Sequence, residues 1–380
     1  MPLARLRRAP GTGRSPEHPA SSQGGTLIVV GIDGHKNTHT LVAVDPLGKR
    51  LAELTVAARP AGHLKALAWL HGFGSVLVAV EDCRHLTRRF EADLLNSGHA
   101  VVRVHTRLMA GVRRSARERG KSDPIDAEAV ARVALREPDL PKACLDGPSR
   151  DIKLLVDHRR TLVAQRTAIG NKLRWFLHEL DPELAVASRG LRRLCILDHL
   201  AQALIQHPGT LAAIAAELVA DCRRLSERIN ALESQIRRLV AARAPHLLAI
   251  PGCGVLGAAV IIGEAADATR FVSKAAFARF NGTAPIPVWS GNKVRVRLNR
   301  GGNRTVNHAL HMIAVTQVRG DGEGATYFAK QLTIGKTKTE ALRLLRRRIS
   351  DRVYRALLAD QADLGQPLNP PPPTPVSLAA

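Results

Sequence analysis

Few aromatic residues and few cysteines occur in this sequence, and each shortage argues against a class of protein. Phenylalanine, tyrosine and tryptophan together account for 3% of the 380 residues, which disfavours a single-strand binder that stacks bases on aromatic side chains. The five cysteines lie tens of residues apart and form no C-x-x-C pair. Their spacing argues against a zinc knuckle or a disulfide framework and is typical of a reducing compartment.

Long apolar runs are also absent. The longest run, near residues 255–263, falls far short of the roughly 18 residues that a membrane span needs. The first 25 residues contain arginine and have no apolar signal core. We therefore expect a cytoplasmic protein without a membrane partner.

Acidic residues are scarce relative to basic ones. Lysine and arginine number 56 against 33 aspartate and glutamate residues, which leaves a net charge of +23 and a pI near 11.0. An excess of that size suits a polyanionic partner, of which nucleic acid is the commonest, and disfavours an enzyme of small metabolites. The hydrophobic fraction of 45% is that of a globular protein, and the length predicts two or three domains.

The amino-terminal part of the chain predicts an α/β domain. Residues 1–25, rich in Pro, Gly, Ser and Arg, predict a flexible leader. The β-branched run that follows opens a domain spanning 26–140, in which three strands form an antiparallel meander before helices and strands alternate. The expected strands are 26–32, 38–44, 51–57, 76–80 and 100–104, and the expected helices are 61–70 and 86–95.

Helical patterns predominate in residues 150–245, which we interpret as a helical linker or coiled coil. An apolar seam with alternating steps of four and three is formed by Leu218, Cys222, Leu225, Ile229, Leu232, Ile236 and Leu239. Two interpretations remain open, a long helix packed in its own bundle and a dimerising coiled coil. A third, mainly α-helical region rich in Gly, Asn and Arg spans 246–358, and the proline-rich tail 359–380 is expected to be disordered.

Four carboxylates occupy positions that suit a metal site. Asp33 ends the first strand and Glu81 ends the fourth, so both are expected at one rim of the sheet. Asp123 and Asp126 follow Ser122 at a helix start and share one helix face at i and i+3. Hard oxygen ligands in this number suit a pair of Mg²⁺ or Mn²⁺ ions about 3.5 to 4 Å apart. The pattern therefore predicts a phosphoryl-transfer site.

Each of these acids also has a structural explanation, because a strand-end aspartate is often a turn residue and Asp-Pro-x-Asp is often a helix cap. Their order behind a three-strand meander is the plan of a ribonuclease-H-like domain, and it favours the joint interpretation. We expect Glu128 to serve as a reserve ligand and Asp82 to point away from Glu81. A basic run before the helix favours phosphate contact over a merely solvated face, and it contains Arg113, Arg114, Arg117, Arg119 and Lys121.

A glycine-rich turn opens the third region. Residues 250–257 contain a literal G-x-G-x-x-G, but Pro251 interrupts the strand that a dinucleotide site requires and no βα repeat follows. Pro-Gly-x-Gly between two helices suits a helix-hairpin-helix-like element, in which the turn amides near Gly252 and Gly254 hold a DNA phosphate. The alternative is a tight turn without a ligand.

A basic strand follows further along. Val294, Val296 and Leu298 alternate with Arg295 and Arg297, which predicts one strand face made of guanidinium groups. Ser290 lies before Gly291 in a predicted turn, where a serine is ordinarily a turn former. The residues expected to contact a nucleic-acid backbone here are Lys293, Arg295, Arg297, Arg300, Asn303 and Arg304.

Several motifs resemble those of the insertion sequence 110 family of transposases, over about residues 26–358. The first set consists of Gly31-Ile32-Asp33 with His35-Lys36, Val80-Glu81, and Arg119 to Ala127, and it resembles that family's Asp-Glu-Asp-Asp domain. The second set resembles its C-terminal transposase domain and consists of Ile250 to Gly254, Gly282 to Pro287, and Arg297 to Arg304.

The resemblance implies a RuvC-like N-terminal domain, a helical linker, and a C-terminal domain whose serine links covalently to DNA. It also implies a bridge RNA that pairs with donor and target DNA. Carried over, Asp33, Glu81, Asp123 and Asp126 become metal ligands, and Ser290 becomes the nucleophile. Relatives usually have paired serines where this chain has Trp289-Ser290, and a Gly-Thr-Gly-Ser-like stretch where it has residues 82–85.

The sequence therefore predicts an RNA-guided DNA recombinase that uses Mg²⁺ or Mn²⁺. The expected partners are donor and target DNA, the guide RNA, and further copies of the chain in a dimer or tetramer. Two alternatives remain, a metal-dependent junction nuclease that uses water and a nucleic-acid-binding relic without catalysis.

Overall fold

The computed structural model describes residues 27–106, 108–109, 122–137, 140–187, 189–290, 293–299 and 301–365, and it gives the backbone alone for residues 84, 289–290 and 293–296. The predicted leader, the basic run from Arg113 to Lys121, and residues 366–380 of the predicted tail lie outside these ranges. The chain divides into two compact units at residue 140, and each is described by itself.

The first unit is built on a five-stranded sheet. Its strands are β1 (Ile28–Gly34), β2 (Thr38–Val44), β3 (Arg50–Ala57), β4 (Val76–Glu81) and β5 (Ala100–Val104), in the spatial order β3-β2-β1-β4-β5. The pairs β1–β2 and β2–β3 are antiparallel, whereas β1–β4 and β4–β5 are parallel. The predicted meander is confirmed, and the sheet has the plan of a ribonuclease-H-like domain.

Helices cover both faces of this sheet. On one face, α3 (Asp123–Arg136) packs its alanines and valines on Val29, Val42 and Val104. On the other face, the ring of His39 stacks on His63 of α1 (Pro60–His71) and on Phe90 of α2 (Arg84–Asn96). The unit is therefore a three-layer α/β/α sandwich, as the alternating helices and strands predict.

Two long helices dominate the start of the second unit, α4 (Pro148–Leu180) and α6 (Thr210–Arg243), with α5 (Leu194–Leu204) between them in the chain. The helices α4 and α6 run antiparallel, since Arg159 Nε donates to Glu233 Oε1 at 2.7 Å and Arg166 Nη1 donates to Ser226 Oγ at 3.0 Å.

The heptad seam lies on α6, and its two halves differ in burial. Cys222, Ile229 and Ile236 are fully buried, which places them in the intrachain helix pair. The other members of the seam are only half-buried, namely Leu218, Leu225, Leu232 and Leu239. The seam therefore packs in an internal bundle along one edge. On the second edge, Leu218 and Leu239 pack against the cores at the two ends of α6, whereas Leu225 and Leu232 remain half-buried between them.

The rest of the second unit is a mainly helical domain. It contains α7 (Pro245–Leu248), α8 (Val255–Ala265), α9 (Lys274–Phe280), the hairpin β6 (Ile286–Ser290) and β7 (Lys293–Arg297), α10 (Arg304–Arg319), α11 (Glu323–Thr333) and α12 (Lys338–Asp363). Phe277, Leu310 and Ile349 lie in its core, which extends onto Ile152 of α4 and Ile236 of α6.

The prediction that disorder starts at residue 359 is wrong for the first residues of that segment. The last helix, α12, continues to Asp363. Within its last turn Asp360 is buried, and its carboxylate accepts hydrogen bonds from the amides of His246 at 2.8 Å and Leu247 at 3.1 Å. These contacts hold the end of the helix in place. Asp360 thereby caps α7, which gives residues 359–363 a structural role. Across the described ranges, no helix is both long and apolar enough to cross a bilayer.

Candidate active site

One edge of the first unit's sheet brings Asp33 and Glu81 together. In the parallel pair β1–β4, Ile32 is the partner of Val80, so the next residues, Asp33 and Glu81, lie at the same level. Side chains alternate between the faces of a strand. Asp33 therefore shares the face of Gly31, which is the face that α3 covers.

A glycine positions α3 over this edge. A Cβ atom built on Gly31 would lie 2.0 Å from the carbonyl oxygen of Ala127 and 2.5 Å from the amide nitrogen of Ala131. The backbone of α3 thus rests directly on β1, which a side chain at position 31 would prevent. This close approach delivers the first turn of α3, with Asp123 and Asp126, to the sheet edge.

The cluster has a buried side and an open side. Asp33 and Asp126 are each 5% exposed, whereas the side chains of Asp123 and His35 are 47% and 50% exposed. His35 Nδ1 lies 3.5 Å from Asp33 Oδ2 and 3.7 Å from Asp123 Oδ2. The ligand atoms of Asp33, His35 and Asp123 all lie within 4.8 Å of one another and could hold a metal ion.

The carboxylates act on one another electrostatically. Burial raises the pKa of Asp33 to about 6; His35 opposes this rise, while Asp126, Glu81 and Asp123 add to it. The Oδ2 atom of Asp33 is buried and has no hydrogen-bond partner among the described residues. A buried, unsatisfied oxygen surrounded by like charges fits a cation, because a cation would satisfy the oxygen and relieve the repulsion.

His35 is the member of this cluster that the sequence reasoning missed as a candidate ligand. It lies in the turn between β1 and β2, two residues after Asp33, and its amide donates to the carbonyl of Thr38 at 2.8 Å. A histidine directly beyond a strand-end aspartate is a signal that could have identified it, since imidazole is a common metal ligand.

The reserve ligand Glu128 has a different role. Its carboxylate accepts hydrogen bonds from Arg50 Nε at 2.8 Å and pairs with Arg132. Glu128 thus joins β3 to α3 and is not available to the acidic cluster. Asp82 is exposed, and its amide donates to the carbonyl of Val104.

In the second unit, the glycines of the Pro-Gly-x-Gly turn have separate explanations. Gly252 adopts φ of +80°, and a Cβ atom there would lie 3.1 Å from the carbonyl oxygen of Ile313. Gln317 Nε2 donates to the carbonyl of Pro251 at 2.7 Å and fixes the turn. Gly254 caps α8, and no atom lies within 4 Å of its Cβ position. Internal packing explains Gly252, while no packing contact requires a glycine at position 254.

The predicted basic strand is β7 of a two-stranded hairpin. Its register pairs Ser290 with Lys293, Val288 with Arg295 and Ile286 with Arg297. Positions 290, 293, 295 and 297 therefore share one face, since cross-strand partners lie on the same side of a sheet. Ser290 is the last residue of β6 and so closes a strand where the sequence predicted a turn. Arg300 lies outside the described residues.

Asn303 differs from its predicted role as a nucleic-acid contact. Its Oδ1 accepts from the amide of Val306 at 2.9 Å and caps α10, and its Nδ2 donates to Glu264 Oε2 at 2.6 Å. Lys153 Nζ donates to the other oxygen of Glu264 at 2.7 Å. Both ends of the amide are thus used inside the protein. Arg304, the first residue of α10, is exposed.

A ribonuclease-H-like domain with a carboxylate cluster at its sheet edge is the class of protein that this geometry defines. Comparison with known families is more specific. Residues 30–182 match the Asp-Glu-Asp-Asp transposase domain of IS110, and residues 244–329 match the transposase family IS116/IS110/IS902. Together these matches cover more than half of the chain, which belongs to the IS110 family of transposases.

Full-length relatives agree with this assignment. An insertion element IS110 protein of Streptomyces coelicolor is 28% identical, over 88% of this chain and 94% of its own. An insertion element IS900 protein of Mycobacterium paratuberculosis is 28% identical, over 88% and 96%. A Thermus thermophilus RuvC structure in complex with a Holliday junction substrate matches with a TM-score of 0.25 and 18% identity, over 31% of this chain and 99% of that one.

Proposed function

We propose that this chain is a DNA recombinase that moves an insertion sequence by cutting and rejoining DNA under the guidance of a bridge RNA. Support comes from membership of the IS110 family and from the acidic cluster at the sheet edge. The observation that carries the proposal is the buried Oδ2 of Asp33, which lacks a hydrogen bond and is surrounded by further carboxylates.

The acidic cluster would hold Mg²⁺ or Mn²⁺ through Asp33, Glu81, Asp123 and Asp126, with His35 at its open side. Oxygen donors are the ligands that these hard cations prefer. When bound, the metal would stabilise negative charge on a scissile phosphate and lower the pKa of an attacking hydroxyl. The half-exposed Asp123 and His35 leave an open side through which a phosphodiester could enter.

Ser290 is the proposed nucleophile. Its Oγ attacks phosphorus, the bond from phosphorus to the leaving DNA oxygen breaks, and the serine proton is transferred to solvent or to that leaving oxygen. The phosphoserine ester conserves the energy of the broken bond, so the reverse attack by a DNA hydroxyl rejoins strands without ATP. Lys293, Arg295 and Arg297 share the hairpin face of Ser290 by register and would bind the DNA backbone there.

Asp123→Ala tests the metal site. The variant should lose cleavage in Mg²⁺ by at least about a hundredfold, because a ligand is removed, while nucleic-acid affinity stays equal or rises as repulsion of phosphate falls. Cleavage of a supercoiled plasmid that carries the element's ends measures the first effect. Asp82→Asn, an exposed neighbour of Glu81, is the matched control and should cleave normally. Full activity of Asp123→Ala would place the metal site elsewhere.

Ser290→Ala separates the recombinase from a junction nuclease that uses water. Under the proposal, the variant retains binding of metal, RNA and DNA but forms no covalent protein-DNA adduct. The measurement is denaturing electrophoresis of a nicked, labelled substrate, followed by peptide mapping of any adduct. Cutting at the normal rate by Ser290→Ala, or an adduct on another residue, would assign the chemistry to water or to that residue.

Guidance by an RNA is tested in a separate experiment. The chain should co-purify with a discrete RNA when expressed together with the complete element, and sequencing should show segments complementary to the donor and target DNA. Recovery of only bulk cellular RNA, with recombination undiminished after RNase treatment, would contradict guidance by RNA.

A further inference from the structure

A cleft of about 350 Å³ lies between α10 and α12, apart from the acidic cluster. Among the described residues that line it, none is acidic and five are cationic or titratable, namely Arg304, His308, His311, Arg343 and Arg346. Among these arginines, Arg346 is half-buried, and an arginine in that position ordinarily has a carboxylate partner.

Arg346 is held in place at the floor of this cleft. Its Nη1 donates to Asn307 Oδ1 at 3.1 Å, and Asn307 Nδ2 donates to the carbonyl of Asn281 at 2.8 Å. Asn281 Nδ2 in turn donates to Ser350 Oγ at 2.8 Å, with both residues fully buried. This chain of hydrogen bonds positions the guanidinium before any ligand arrives, which lowers the entropy cost of binding.

One donor of Arg346 remains unused. Its Nε is buried and has no hydrogen-bond partner among the described residues. A buried N–H without an acceptor is costly, and an acceptor that enters the cleft would remove that cost. Arg346 lines the cleft, so this unpartnered N–H and the absence of acids among the described lining residues together point to a ligand with oxygen acceptors.

The cationic side chains of the cleft repel one another, and a bound anion would reduce this repulsion. Burial lowers the pKa of Arg346, and the charges of Arg343 and Arg304 lower it further. Burial also lowers the pKa of His311, as do Arg346 and His308. The neighbouring acid Glu340 accepts hydrogen bonds from the Thr337 amide and hydroxyl, each at 2.9 Å, in the cap of α12.

Two other arginines of α12 differ from Arg346, because each of them has a carboxylate partner. Arg347 pairs with Asp351, and Arg352 pairs with Glu323. The helix therefore has carboxylates on its other faces and leaves the cleft face basic. Leu298 and Asn299, which follow β7, line the same cleft, so the cleft adjoins the end of that strand.

We propose that the cleft between α10 and α12 binds a backbone phosphodiester of DNA or RNA, with Arg346 as its fixed donor and Arg304 and Arg343 as flanking cations. The assignment rests on the proposed function, since it adds a phosphate contact to a nucleic-acid enzyme. A guanidinium fork and a second arginine suit the non-bridging oxygens of a phosphate. The linked anions of a nucleic acid suit a cleft that continues from β7.

Binding measured without cleavage tests the site. Fluorescence anisotropy in EDTA would follow labelled duplex DNA and duplex RNA of the same sequence across a series of salt concentrations. Arg346→Gln and Arg343→Gln should each weaken binding about tenfold at moderate salt and reduce the slope of log K against log salt by about one. Arg343 is exposed, so its variant reports on the site without disturbing the core.

Arg347→Gln is the matched control, because it removes one charge from the same helix at a residue already paired with Asp351. It should leave the slope unchanged. A change confined to DNA or to RNA identifies the source of the phosphodiester, and a change in both assigns the cleft to either backbone. Equal slopes for Arg343→Gln, Arg347→Gln and the unaltered chain would overturn the proposal, even if Asp123→Ala still abolishes cleavage.

Discussion

Asp33 shows at the residue scale how burying a carboxylate among other carboxylates lowers the stability of the fold. Its carboxylate is buried beside other carboxylates, and burial raises its pKa to about 6 from an ordinary value of 3.8. The folded protein therefore binds a proton more tightly than the unfolded chain does. Stability from this group is fully present below about pH 3.8 and is lost as the pH rises through 6.

Asp33→Asn should consequently stabilise the metal-free protein at pH 8 by about 1 to 2 kcal/mol, because the amide carries no charge to desolvate. The gain should shrink as the pH falls through 6 and should vanish only below about pH 3.8, where the aspartate is protonated in the unfolded chain as well. Urea unfolding in EDTA at several pH values measures this difference. Asp82→Asn, which removes an exposed charge nearby, serves as control, and an equal gain from it would argue against burial as the cause.

At the element scale, the contact of α3 with β1 carries the geometry of the site. Two carboxylates come from strands and two from the first turn of a helix, and Gly31 sets the distance between those elements. Glu128 secures the same helix to β3 through Arg50. The relative positions of the four acids thus depend on packing contacts made by residues elsewhere on the same elements.

Gly31→Ala should reduce cleavage by at least about tenfold, because its Cβ would clash with the backbone of α3 at Ala127 and Ala131 and displace Asp123. The fold should lose about 1 to 3 kcal/mol from the same overpacking. Thermal melting and the plasmid cleavage assay measure the two effects together. Gly74→Ala provides a comparison, since it has a positive φ but no atom within 4 Å of its Cβ position. If Gly31→Ala cleaves normally, the close approach does not set the site.

At the scale of the whole molecule, the half-open apolar edge of α6 bears on assembly. Leu218, Leu225, Leu232 and Leu239 are half-buried beside a fully buried row. A stripe of leucines at heptad spacing that is only partly covered suits a second helix. The proposed chemistry also needs residues from both units, which further copies of the chain could supply.

Leu225→Asp combined with Leu232→Asp should dissociate a dimer or tetramer and abolish recombination, because the charges would be desolvated at the interface. Sedimentation velocity measures the assembly, and circular dichroism checks that the helix pair persists. Asn230→Asp with Gln235→Asp adds the same charge on exposed positions of α6 and should change neither result. An unaltered sedimentation coefficient with normal recombination would assign the seam wholly to the internal bundle.

Strands and helices were predictable from the sequence where the hydrophobic pattern repeats within a single element. The strands β2 and β5 match their predicted bounds, and the helical patterns predicted in residues 150–245 correspond to α4, α5 and α6. Period-2 and period-3.6 patterns depend on neighbouring residues, so they require no knowledge of the fold. The four carboxylates were found in the same way, from their places at strand ends and in a helix start.

The sequence by itself determined the family, the order of strands and helices in the first unit, the places of the four acids at strand ends and a helix start, and the strand β7. Each of these is encoded by residues close together in the chain. Only the tertiary structure decided that Glu128 pairs with Arg50, that Asn303 binds Glu264, and that Arg346 lines a cleft with no acid among its described lining residues. These outcomes depend on partners about 40 to 80 residues apart along the chain, whose meeting is set by how the elements pack. A local sequence pattern cannot predict such a contact, because the two partners meet only once the elements have packed into a core.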